Sequence, residues 1–256
     1  MRGKIWAAVV AVMVLAACPA IVAEQAKTPA TQDAKKKEPD SAAISADTSR
    51  WLWGDTNKAR LKGHVKITHG DTNLTSDMVD YDGTKGVKTA VSPGKINITN
   101  PECDIVGEKG TAYLLKKLGV VEGDVVMIVK PKVTEEERAK ADKDDVKMKL
   151  KERTVITCKK LEYLYKQKLA TLTGGVIFTQ KNRKANSDSA VYDQAKEILT
   201  LTGNVKGVDE QGQTFSAPGK VVISLKKGDE WMEAPNASAT FKVDLDEDES
   251  APEQKK

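Results

Sequence analysis

Leu172-Thr173-Gly174-Gly175-Val176-Ile177-Phe178, a polar turn, Ala185-Asn186-Ser187-Asp188-Ser189-Ala190-Val191-Tyr192-Asp193, then Leu201-Thr202-Gly203-Asn204-Val205: two kinds of strand-like segment alternate in this stretch. The first, a glycine strand, carries apolar residues two before, two after and four after a Gly. That period of two belongs to a strand with one buried face. The second, a tyrosine strand, opens on an apolar or small residue and has an aromatic residue seven positions later.

Outward from this stretch the same pattern recurs. The glycines that align are Gly63, Gly94, Gly123, Gly174 and Gly203, at spacings of 31, 29, 51 and 29. Two positions after each stand Val65, Ile96, Val125, Val176 and Val205. Four positions after stand Ile67, Ile98, Met127 and Phe178, with Gly207 breaking the column. The tyrosine strands read Ile44 to Trp51, Leu74 to Tyr81, Val106 to Tyr113, Ile156 to Tyr163, Ala185 to Tyr192, Phe215 to Val222 and Ala234 to Phe241. A repeat of about 30 residues made of strand and turn predicts stacked β units, none of which can bury its apolar face without its neighbours. The chain is therefore expected to be all-β and a single domain, with short strands punctuated by Gly and Asp.

The flanks are of different composition. Arg2 and Lys4 precede an apolar run from Ile5 to Ala17, which is short for a bilayer span and reads as an export signal. Two cleavage readings stand side by side. Leu15-Ala16-Ala17-Cys18 has the form of a lipoprotein box, with Cys18 as the acylated residue and membrane tether, whereas Ile21-Val22-Ala23 before Glu24 suits ordinary signal peptidase. Residues 24–43 are polar and rich in Ala, Lys, Thr, Pro and Gln, as a flexible tether is. The folded unit is expected over 44–243. A charged insertion at 131–153 accounts for the one anomalous spacing and reads as a surface loop. The acidic tail, 244–256, is expected to be disordered.

Several function classes are disfavoured. The formal charge of +4 falls to +2 once Arg2 and Lys4 are removed, and no basic stripe with interleaved aromatics marks a nucleic-acid face. His64 and His69, the two histidines, are five apart and point to opposite faces of an extended strand, which argues against a two-His metal site. Asp47, Asp77 and Asp188 recur at the fourth position of the tyrosine strand and read as a solvated or turn-stabilising ladder. Tyr81, Tyr113, Tyr163 and Tyr192 read as the rim or packing of the sheet. With no P-loop, nucleotide-binding Gly motif or nucleophile elbow, the chain is not expected to be an enzyme or to carry a cofactor or metal.

The motifs Leu-x-Gly-x-Val-x-Ile, Leu74-Thr75-Ser76-Asp77-Met78-Val79-Asp80-Tyr81-Asp82 and Ser187-Asp188-Ser189-Ala190-Val191-Tyr192-Asp193 resemble the OstA-like family of periplasmic lipopolysaccharide-transport proteins, which includes LptA, LptC and the N-terminal part of LptD. The resemblance spans about Ile44 to Val243. It implies an open β-jellyroll in the periplasm that holds the acyl chains of lipopolysaccharide or a related glycolipid and joins partners of like fold edge to edge. Under that implication Val65, Ile67, Ile96, Ile98, Val125, Met127, Val176, Phe178 and Val205 line the lipid groove. Periodicity alone leaves a second reading open, a structural or adhesive β-solenoid with a filled core and no cargo. The two differ in whether the inner columns pack together or leave a trough.

Two further expectations follow from register. Cys103 and Cys158 are offset by five residues in the repeat, too far for a disulfide. The sheet edges are expected near Ile44 to Trp51 and Ala234 to Phe241, the second guarded by Pro235 inside its strand and by the acidic residues after it.

Overall fold

The computed structural model describes residues 42–52, 57–130, 153–226, 229 and 231–240. Cys18, the rest of the signal, the tether up to residue 41, the 131–152 segment and the tail lie outside the described residues. The chain climbs as a ladder of antiparallel tiers. Strands β1 (Ala43–Ser45) and β2 (Thr48–Leu52) lie on β3 (Lys58–His69), and β3 lies on β4 (Thr72–Asp82). Strands β5 (Thr89–Ser92) and β6 (Ile96–Thr99) share the next tier, and β7 (Cys103–Gly107) pairs with β6 while β8 (Lys109–Tyr113) pairs with β5. Both then meet β9 (Leu118–Val129), followed by β10 (Thr154–Leu164), β11 (Leu169–Gln180) and β12 (Arg183–Asp193). Strands β13 (Ile198–Thr202) and β14 (Val205–Val208) share β12. Then β15 (Thr214–Ala217) pairs with β14 and β16 (Lys220–Ser224) with β13. Finally β17 (Trp231–Glu233) meets β16 and β18 (Ser238–Thr240) meets β15.

Four of the five repeat glycines make a left-handed corner; Gly94, between β5 and β6, is not left-handed. The ladder slips between Lys62 and Val65, between Glu122 and Val125, and between Thr173 and Val176. At these slips, and at Gly203 between β13 and β14, the glycine and the residue after it are both left-handed: Gly63 and His64, Gly123 and Asp124, Gly174 and Gly175, Gly203 and Asn204. Two successive residues in that region form a bulge, which bends the strand and raises its twist. The period of two therefore does not run through one flat strand, as the sequence suggested. Each tier bends at its glycine, and its halves belong to two facing walls.

The neighbouring tyrosine strand seals the corner. Asp47, Glu108 and Asp188 each donate a backbone N–H to the carbonyl of the adjacent repeat glycine or the residue before it, at 2.9 to 3.1 Å. The Asp47 and Asp188 side chains accept from the residue that follows the glycine: His64 Nδ1 lies 2.8 Å from Asp47 and Asn204 Nδ2 lies 2.9 Å from Asp188. At the β9–β10 corner the polarity is reversed, with Lys159 donating to Asp124 at 2.5 Å. Asp47 and Asp188 thus stabilise turns, one of the two roles the sequence left open.

Two expectations are corrected by register. Ile105, not Val106, pairs with Ile98 and Met127, so the third tyrosine strand starts one residue earlier and Glu108 falls into the acidic corner column. Ala112 rather than Tyr113 then stands level with Tyr163 across Gly119. At the far end, Ala234 to Phe241 is not a tyrosine strand. Strands β17 and β18 pair with β16 and β15 as the two halves of a glycine-type tier, with Pro235 in the turn and left-handed Asn236 at its corner. The match of Ala234 and Phe241 to the pattern was coincidental. Cys158 is a free, buried thiol. Cys103 pairs with Val129 and so stands level with Thr154, four residues from Cys158 and about 13 Å along the strand.

Candidate functional site: an apolar cavity between the walls

The facing walls do not close on each other along their whole length. Between β3 and β13 they leave a void of about 1230 Å³, counting the part open to solvent. One wall contributes Val79, Val121, Leu161, Leu172 and Leu199, and the other Ile67, Leu74, Ile96, Ile98, Ile105, Met127, Ile156 and Phe178. Among the described residues its polar lining is limited to hydroxyl and amide groups, Thr72, Ser92, Asn100, Thr111 and the tyrosines 163, 165 and 192, with no Asp, Glu, Lys or Arg.

The two apolar columns have different fates. In the column two after the glycine, Val65, Val125, Val176 and Val205 are buried in the packed corner and do not border the void, while Ile96 does. In the column four after it, Ile67, Ile98, Met127 and Phe178 all border the void. Distance from the corner explains this. Near the bend the walls are close enough for side chains to meet, and two residues farther out, about 7 Å along the strand, they have diverged. From Leu201 of β13 onward the space is filled by Leu201, Phe215, Val221 and Ile223, which are less than 5% exposed. The sequence posed packed core and trough as alternatives; the molecule has both, in different places.

Three tyrosines missed as lining residues, Tyr163, Tyr165 and Tyr192, border the void. Tyr163 and Tyr165 meet edge to face with ring centroids 5.4 Å apart, and Tyr163 donates its hydroxyl to Gln194 at 3.2 Å. The Tyr165 ring lies over Gly119, where any Cβ would collide with its hydroxyl. Burial raises the Tyr163 and Tyr165 phenols above their ordinary value of 10 and pushes Tyr192 up to about 12, so all three are neutral at physiological pH. Tyr165 lies outside the repeat columns, so the repeat gave no signal for it. The column of small residues Ala90, Gly119 and Ala170, four before the repeat glycines, was a legible one: each lines the cavity.

The profile of the family described as LptA/(LptD N-terminal domain) LPS transport protein matches residues 43–228. The chain belongs to this family. The matched span contains all tiers from β1 to β16 and the whole cavity lining, so membership covers the site as well as the corners. Among solved structures the chain is similar to LptH, described as the LptA homologous periplasmic component of the conserved lipopolysaccharide transport device from Pseudomonas aeruginosa. The two are 15% identical over 80% of this chain and 96% of that one, with a TM-score of 0.23. No curated protein matches the chain at a significant level. Among the described residues no group of three or more His, Cys, Asp or Glu could hold a metal ion.

Proposed function

We propose that the chain is an exported, periplasmic carrier in lipopolysaccharide transport that holds acyl chains in the cavity between its walls and joins partners of like fold through its terminal tiers. The observation that carries the reading is an apolar void bordered by Ile67, Ile98, Met127 and Phe178 with no charged side chain in its lining. Family membership supplies the class of cargo. Transfer of acyl chains from water contributes about 0.8 kcal/mol per CH₂, so partial insertion of one chain already holds a lipid.

The terminal tiers fit the joining role. Among the described residues each half of the first tier pairs only with β3, and β17 and β18 pair only with β16 and β15, which supports an outer edge at each end of the ladder able to accept a strand. Ile44 and Leu52 are exposed on the first of these. Signal at 1–23, tether at 24–43, folded unit at 44–243 and tail at 244–256 make up the domain plan that goes with this role, and Cys18 adds a membrane tether if acylated.

A photo-crosslinking residue in place of Ile98, which borders the void, is expected to trap lipid in cells. The same residue in place of Lys66, exposed on the outer face of β3, is not. Equal labelling of the two positions would sink the carrier reading and favour the filled structural solenoid.

A further inference from the structure

The turns on one rim of the ladder stack directly upon one another. Gly83 N–H donates to Asn57 O at 3.1 Å, Leu114 to Lys88 at 3.0 Å, Tyr165 to Lys117 at 2.9 Å, Gln194 to Lys168 at 3.0 Å and Leu225 to Glu197 at 2.8 Å. The five acceptors are the same position in successive repeats: each precedes its repeat glycine by six residues, and each is left-handed, with φ between 40° and 55°. Gly and Asn are the residues that adopt this conformation at least backbone cost. The three central turns instead have Lys88, Lys117 and Lys168, with Lys85, Lys116 and Lys166 beside them, and these turns, 83–88, 114–117 and 165–168, contain no Asp or Glu. All six side chains belong to exposed residues. Lys116 stands 5.5 Å from the centre of the Tyr113 ring, and the other five form no ion pair among the described residues.

Elsewhere basic groups have acidic partners: Lys58 with Asp82 and Lys196 with Asp193 at the outer turns of this rim, and on the opposite rim Lys130 lies 2.7 Å from Asp104 and Arg183 lies 3.0 Å from Glu210. The unpaired lysines also sit next to the cavity. Lys88, Lys117 and Lys168 each stand two residues before a small lining residue, Ala90, Gly119 or Ala170, and Tyr165, next to Lys166, lines the void itself. Successive turns are about 9.5 Å apart, two strand spacings, so the row runs along the rim of the ladder rather than clustering at one point.

We infer that this lysine row, centred on Lys88, Lys117 and Lys168, binds the anionic headgroup, phosphate in chemical class, of an amphiphile whose acyl chain lies in the cavity. Two observations converge on it: a bulky cation kept at three left-handed positions where its backbone is disfavoured, and a cavity that takes alkyl chains but offers no charge of its own. An ammonium is a compact point charge on a flexible stem, suited to phosphates whose positions vary along a row. Val87, Leu114 and Leu115, exposed in the same turns, add apolar surface between the cations.

The inference rests on the carrier reading, and one titration of the full chain separates the two. The probes are dodecyl phosphate, the neutral dodecyl glucoside and inorganic phosphate. The variants are a rim triple, Lys88→Gln, Lys117→Gln, Lys168→Gln, and an outer-face triple, Lys62→Gln, Lys66→Gln, Lys206→Gln. The intact chain is expected to prefer dodecyl phosphate to the glucoside, and the rim triple to lose about tenfold in affinity for the phosphate with its glucoside affinity unchanged. The outer-face triple is expected to bind both probes as the intact chain does, and added salt to erase the preference. Glucoside binding without a phosphate preference, or equal losses in both triples, overturns the lysine row alone. Inorganic phosphate binding as tightly as dodecyl phosphate overturns it too, showing a free-anion site unrelated to the cavity. If neither amphiphile binds, the carrier reading falls and the lysine row with it.

Discussion

A Cβ built on Gly203 would lie inside the Asp188 carboxylate, and the Asp188 backbone N–H donates to the Gly203 carbonyl at 2.9 Å. The corner therefore excludes any side chain on the glycine while tying the two strands together. Gly203→Ala combines the left-handed cost of roughly 1–2 kcal/mol with this collision and is expected to destabilise by about 3 kcal/mol in urea unfolding. Gly212→Ala, at a similar φ but with open space around it, is expected to lose only the backbone part. Equal losses at the two sites would mean that the corner can relax.

Asp47 acts on His64 first through its hydrogen bond and then through its charge, and raises the imidazole above 6.5. A folded value above the unfolded one gives a stabilisation fully present below pH 6.5 and lost as pH rises through the folded value. Both side chains are exposed, so the effect on overall stability is small. The expected readout is an NMR titration of His64 with its midpoint above 6.5, falling toward the ordinary value in Asp47→Asn, where only the weaker charge of Asp77 remains.

Cys158 is buried, its thiol is pushed up to about 11 by desolvation, and it donates to Lys160 O at 3.4 Å. The thiolate is the reactive form. Maleimide is expected to leave Cys158 unlabelled in the native protein at pH 8 and to label it promptly in urea, as read by peptide mass. Fast native labelling would contradict its burial.

Leu201 sits in the filled part of the interior and Ile98 on the void. Leu201→Ala creates a new cavity and is expected to cost about 2–5 kcal/mol. Ile98→Ala only widens an existing one, which leaves the transfer term for a half-buried side chain, under about 2 kcal/mol. Lipid capture should follow the opposite order, with Ile98→Asp losing bound lipid and Leu201→Ala retaining it.

How far the chain could be read in advance varied with the physics involved. Apolar columns at Val65, Ile96, Val125, Val176 and Val205 are one-dimensional facts and gave the tiers directly. The bend was hidden because Gly63, Gly123, Gly174 and Gly203 continue a period of two by number while breaking it in space. Whether Ile98 or Phe178 meets a partner across the interior depends on the angle between walls, which no spacing encodes. The lysine row was readable, since Lys88, Lys117 and Lys168 share one offset from the repeat glycines, but that offset falls in the turns, where polar residues are unremarkable. The C-terminal tier was misread because β17 and β18 have Asn236 at the corner instead of Gly.

Outside the β9–β10 pair, where Leu118 meets Leu164 46 residues away, no two paired residues among the described tiers are more than 26 apart in sequence, the distance between Cys103 and Val129. Most all-β proteins must close long loops before their sheets reward them, which slows their folding. Here each new hairpin lands on the one just made, so order can advance as a front from any formed tier, and stability adds up tier by tier. A chain that is delivered N-terminus first can start folding on β1 to β4 before β15 to β18 have emerged.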